Sequence, residues 1–131
     1  MSDLIKRIAA APSGSRDLNA DIYAALGYEV LRTPRKPRGL AWCYRGTGPL
    51  GVAGRWRGQL DLTTSTNAAM RLIPEGWPEV AIVSDNSCWR VDLGKPTTDG
   101  CYYDEADMAM SYGATPELAI CGAALKARGH Q

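Results

Sequence analysis

With 131 residues, 45% of them hydrophobic and 22% charged, the chain is long enough to bury a core without disulfide or metal staples, and its composition excludes a disordered or collagen-like polypeptide. The formal net charge of +1 conceals a division, since residues 1–60 carry ten Lys/Arg against four Asp/Glu (+6) and residues 61–131 carry five against ten (−5). No apolar run approaches the length of a membrane span and charges interrupt the first eight residues, so the expectation is a cytoplasmic protein folded as one α+β domain over residues 1–131, with no membrane contact.

Leu4, Ile5 and Ile8 are spaced for one face of a short helix over Asp3 to Ala11, which Pro12-Ser13-Gly14-Ser15 ends. Leu18, Ile22 and Leu26 repeat every four residues behind a Ser15 cap, and Gly27 stands where a left-handed residue closes a helix. The two segments predict a helical hairpin. Tyr28 to Arg32 reads as a strand and Thr33 to Gly39 as a loop, because Pro34 and Pro37 interrupt it. Leu40 to Tyr44 predicts a second strand. Five glycines between Gly46 and Gly58 then predict a long connection or an irregular hairpin.

Thr64-Ser65-Thr66 offers cap hydroxyls for a short helix over Ala68 to Ile73, ended by Pro74 and turned by Gly76. Glu79 to Val83 and Ser87 to Leu93 predict an antiparallel hairpin joined by Ser84-Asp85-Asn86, with Trp89, Val91 and Leu93 facing inward. Residues 94–112 read as a loop, with a strand at Cys101 to Tyr103 as the one regular element. The last helix is the clearest element. Thr115 caps it, Pro116 takes its first position, Glu117 suits its positive end, Gly129 closes it, and Leu118, Cys121 and Leu125 form its inner stripe. Gly122 within it costs helix propensity and permits close approach.

Three segments of this layout, Ala25-Leu26-Gly27-Tyr28, Asn67 to Trp77 and Gly113 to Arg128, resemble the phage ABA sandwich domain family of small bacteriophage and prophage proteins. The resemblance implies a layered sandwich in which a small, mainly antiparallel sheet packs against helices. It names no activity, and it leaves the glycine-rich middle and residues 94–112 without a counterpart.

The groups needed for common chemistries are sparse. His130 is the one imidazole and lies beyond the last helix, which argues against Ser-His or Cys-His catalysis. Cys43, Cys88, Cys101 and Cys121 form no Cys-x-x-Cys pair, so reduced, mostly buried thiols and no metal or other cofactor are expected. Asp104, Glu105 and Asp107 lack calcium-loop spacing and read as a solvated acidic loop.

The candidate site is therefore a binding surface. Arg55-Trp56-Arg57, backed by Arg35, Lys36, Arg38, Trp42 and Tyr44, combines guanidinium groups for phosphates or carboxylates with flat indoles for stacking. No acid occurs between Arg32 and Arg57 to neutralise this run locally. Two readings stay open: a recognition surface for an anionic partner, or a segment that pairs internally with Asp99, Asp104, Glu105 and Asp107. The expected function is a non-enzymatic phage or prophage accessory protein that binds and inhibits or sequesters a host component, its leading partner a host protein with an acidic surface. The alternatives are a nucleotide-signal sponge in which oligomerised copies stack a base on Trp56 or Trp42, a structural or assembly component of the virion, and a small enzyme using Asp104 and Asp107.

Overall fold

The computed structural model describes residues 2–34, 40–53, 60–95 and 108–129, with side chains throughout these except at 2, 31–34, 40–44, 52–53 and 85. The elements in chain order are α1 (Ser2–Ala10), α2 (Arg16–Ala25), β1 (Glu29–Pro34), β2 (Leu40–Gly48), β3 (Gly51–Ala53), α3 (Thr66–Met70), β4 (Glu79–Asp85), β5 (Cys88–Gly94), β6 (Met108–Gly113) and α4 (Pro116–Ala127). The strands form two antiparallel sheets, β1-β2-β3 and β4-β5-β6, which together with the helices make a small layered α+β sandwich.

Helix starts follow the local chemistry. The hydroxyls of Ser15, Ser65 and Thr115 accept the main-chain N–H groups of Leu18, Ala68 and Leu118 respectively, at 3.1, 3.3 and 3.2 Å. Gly27 closes α2 at φ +94°. The third helix is shorter than its sequence suggests, running from Thr66 to Met70, with Arg71 and Leu72 already in turns. The expected hairpin of α1 and α2 is also loose, because α1 packs chiefly on α4.

The first sheet corrects the expected loop at Thr33. Thr33 and Pro34 continue β1 and pair with Ala41 and Leu40. Proline is tolerated there because β1 is an edge strand and Pro34 is its last residue, where no ladder donor is required. Part of the glycine-rich stretch is a hairpin, with Gly48 paired to Gly51 across Pro49 and Leu50. Tyr28 ties this hairpin to the end of α2: its hydroxyl donates to Gly51 O at 2.7 Å and accepts from Leu50 N at 2.9 Å.

In the second sheet the β4–β5 turn is tighter than expected. Asp85 pairs with Cys88 across Asn86 and Ser87, and Asn86 takes φ +57°, a conformation asparagine tolerates. Residues 108–112, expected as loop, together with Gly113 form β6, antiparallel to β5 from Met108 opposite Gly94 to Gly113 opposite Trp89. The strand expected at Cys101 to Tyr103 and the acidic residues 99–107 lie outside the described residues.

One apolar cluster gathers Ile8, Ile22, Tyr23, Leu62, Leu72, Val91, Leu93 and the inner residues of α4. Residues 118–125 of α4 are all buried, since β5 and β6 pack on it together with α1 and α3. Asn19 and Thr63 are buried and paired: Asn19 Oδ1 accepts from Thr63 N at 2.9 Å and from the Thr63 hydroxyl at 2.6 Å, and that hydroxyl accepts from Ser15 N at 2.9 Å.

The contact between α4 and β6 explains Gly122. A Cβ there would stand 2.3 Å from Ser111 Oγ and 3.0 Å from Ser111 Cβ, and Ser111 is held in the ladder opposite Val91. Gly122→Ala gains roughly 1 kcal/mol of helix propensity yet forces helix and sheet apart, so a net loss of about 1–3 kcal/mol is expected in urea denaturation. Adding Ser111→Ala should recover part of it. A more stable Gly122→Ala protein would show that α4 shifts freely on the sheet.

Candidate functional site

Of the residues singled out as a basic recognition surface, Arg35, Lys36 and Arg38 follow β1, and Arg55, Trp56 and Arg57 follow β3, all outside the described residues. Trp42 belongs to β2, where its main chain pairs with Arg32. The attachment points are described: β1 and β2 meet at Pro34 and Leu40, and β3 ends at Ala53 beside Gly46. Along β2 these points are roughly 20 Å apart at 3.3 Å per residue, so both basic segments leave the same small sheet.

Within the acid-free run one cation is neutralised after all. Arg45 Nε and Nη2 donate to the Glu29 carboxylate at 2.8–3.0 Å, because the register of β1 and β2 sets the two residues opposite each other. The acid is distant in sequence and adjacent across the strands. With side chains 62% and 52% exposed, the pair adds little stability.

The surface the structure does build is the outer face of the β4-β5-β6 sheet. Alternation sends Trp89, Val91 and Leu93 of β5 and Ala109, Ser111 and Gly113 of β6 toward α4, and turns Met108, Met110 and Tyr112 outward. Register then assembles three rows across the face: Val83, Arg90 and Tyr112; Ala81, Asp92 and Met110; Glu79, Gly94 and Met108. Met108, Met110, Tyr112 and Val83 are 51%, 46%, 40% and 38% exposed, values high enough for all four to meet a partner at once. Gly94, lacking a side chain, floors a shallow depression of about 190 Å³ walled by Glu79, Asp92 and Met108.

An ion pair divides this apolar face. Arg90 Nε stands 3.3 Å from Asp92 Oδ2, and that nitrogen is buried with no hydrogen-bond acceptor in proper geometry among the described residues. The arrangement of thioethers, a phenol, aliphatic groups and a guanidinium is the composition of the centre of a protein–protein contact. Reading 94–112 as loop hid it, although the large-small alternation of Met108-Ala109-Met110-Ser111-Tyr112-Gly113 was a signal of one strand with one outward face.

The groups with displaced pKa values are structural. Burial raises Tyr23, whose hydroxyl accepts from Leu60 N at 2.9 Å, and burial lowers Arg128, whose Nε donates to Leu72 O at 2.6 Å. Burial, and secondarily the nearby Glu117 carboxylate, pushes the Cys121 thiol far above its ordinary 9.0. Its S–H donates to Leu62 O at 3.1 Å, whereas Cys88 is only half-buried. Cys121 is therefore expected to resist iodoacetamide at pH 8 in the native protein and to react in 6–8 M urea, roughly the range that unfolds small domains, as read by peptide mass spectrometry. Native-state labelling at the unfolded rate would show that α4 opens readily. Below pH 9 both folded and unfolded chains keep this thiol neutral; above it the unfolded chain ionises first, so this contribution to stability falls as pH rises.

Among the described residues no three His, Cys, Asp or Glu side chains gather as metal ligands, and no helix is long and apolar enough to cross a membrane. Compared with protein-family models, curated proteins and solved structures, the chain matches none.

Proposed function

We propose that this chain is a non-enzymatic binding protein that docks on a host protein through the outer face of the β4-β5-β6 sheet, in the phage or prophage accessory role expected from its sequence resemblance together with its sparse catalytic groups. The observation that carries this reading is the row Met108, Met110 and Tyr112 beside Val83, all turned to solvent on one rigid sheet. Thioether and aliphatic groups hold a partner by burial, and methionine adapts to the surface it meets. The basic residues Arg35, Lys36, Arg38, Arg55 and Arg57, with Trp42 and Trp56, add a second contact suited to acidic groups on the same partner.

The test is affinity capture from host cells with the tagged wild-type chain and with Met110→Asp/Tyr112→Asp. Both positions are exposed, but Met110→Asp sets a second carboxylate opposite Asp92, so a loss of about 1–2 kcal/mol is expected and the comparison is made where the variant keeps the wild-type circular dichroism. A partner retained in stoichiometric amount by the wild type and lost by the variant is the expected result. Equal retention by both would place the contact elsewhere, and a melting temperature raised by a nucleotide would favour the sponge.

A further inference from the structure

Strand β4 ends its sheet and, among the described elements, makes its extensive contacts with β5, while Val80 near its start packs on the core. Its four successive residues Ala81, Ile82, Val83 and Ser84 are all exposed, so both faces of the strand meet solvent there, and no described strand pairs with its outer main-chain edge. Folded proteins protect such edges with lysine, proline, a bulge or a covering element. Residues 79–85 contain no lysine, arginine, proline or glycine, and their pairing with β5 runs unbroken from Glu79 opposite Gly94 to Asp85 opposite Cys88. The opposite edge strand is treated differently: Lys126 of α4 donates its ammonium to the main-chain oxygen of Met110 in β6 at 2.8 Å.

We infer that β4 is a docking edge that takes an extended peptide segment of a partner as a fourth strand, its centre apolar and each end carrying lysine or arginine. This rests on the binding role proposed above and specifies the partner's chemistry. Main-chain hydrogen bonds along seven residues supply the attachment, and Ile82 and Val83 offer one apolar contact on each face of the extended sheet. Charge selects the occupant. In sequence the strand opens on Glu79 and closes on Asp85, within a half of the chain whose net charge is −5, so basic residues flanking the incoming strand are favoured at both ends. The same two acids disfavour a second copy: antiparallel pairing centred on Ile82 sets Glu79 against Asp85 twice, and parallel pairing sets each acid against itself.

The experiment is selection of a library of random peptides, about a dozen residues long to cover the strand, displayed on a carrier and presented to the full chain, with no cell extract present. It therefore succeeds or fails independently of partner capture in cells. The expected winners have an alternating apolar centre and Lys/Arg at both ends. Their synthetic versions should bind Ile82→Lys at least tenfold more weakly, since a charge then sits on the bare edge. They should likewise bind Glu79→Lys/Asp85→Lys about tenfold more weakly, with each variant keeping the wild-type circular dichroism. Absence of enrichment, winners without basic ends, or unchanged binding to Ile82→Lys overturns the inference. Sedimentation showing a wild-type dimer that Ile82→Lys dissolves overturns it in favour of a second copy.

Discussion

Tyr23→Ala is expected to cost the fold about 3–5 kcal/mol in urea denaturation. The ring is fully buried and meets Tyr28 edge-on, with centroids 5.1 Å apart and planes at 72°. Its hydroxyl accepts the main-chain N–H of Leu60 at 2.9 Å, fixing the chain just before the turn that carries Leu62 and Thr63. Truncation leaves both a cavity and an orphaned donor. Tyr23→Phe keeps the ring and removes the hydroxyl, so its expected loss is smaller, about 1–3 kcal/mol. Equal losses would show that the hydrogen bond, rather than the packing, sustains this corner of the core.

Leu125→Ala should cost about 2–5 kcal/mol. Leu125 is fully buried in the last full turn of α4, and with β5 and β6, α1 and α3 all packed on that helix no side of it can relax into solvent. The cavity therefore persists instead of collapsing. A denaturation midpoint equal to that of the wild type would show α4 to be peripheral, against the continuous burial of residues 118–125.

Helices were legible wherever the chain carries its own punctuation. Ser15, Ser65 and Thr115 each cap the helix that follows, and Pro116 and Glu117 mark the start of α4 because first-turn geometry and dipole act within a few residues. The β4–β5 hairpin was legible for the same reason, with alternation on either side of a turn. Strand β6 escaped because its inward residues are the small ones. Ala109, Ser111 and Gly113 must be small since α4 lies against them: a Cβ on Gly113 would stand 2.7 Å from Ala119 N and 2.9 Å from Leu118 Cβ. The large residues Met108, Met110 and Tyr112 thus face water, inverting the pattern by which strands are recognised. Charge was legible only as a sum along the chain. That Glu29 would meet Arg45 depended on a register between two strands, and Pro34 could continue β1 only because that strand lies at an edge.

Contact through the outward face of β4-β5-β6 can be read directly from the chain's four methionines. With the methionine methyl groups labelled with ¹³C, adding the captured partner should shift or broaden the Met108 and Met110 resonances, which lie on that face, and leave unchanged the resonance of Met70, the last residue of α3. A shift of Met70 alone, or a saturated complex in which Met108 and Met110 do not move, would contradict the account.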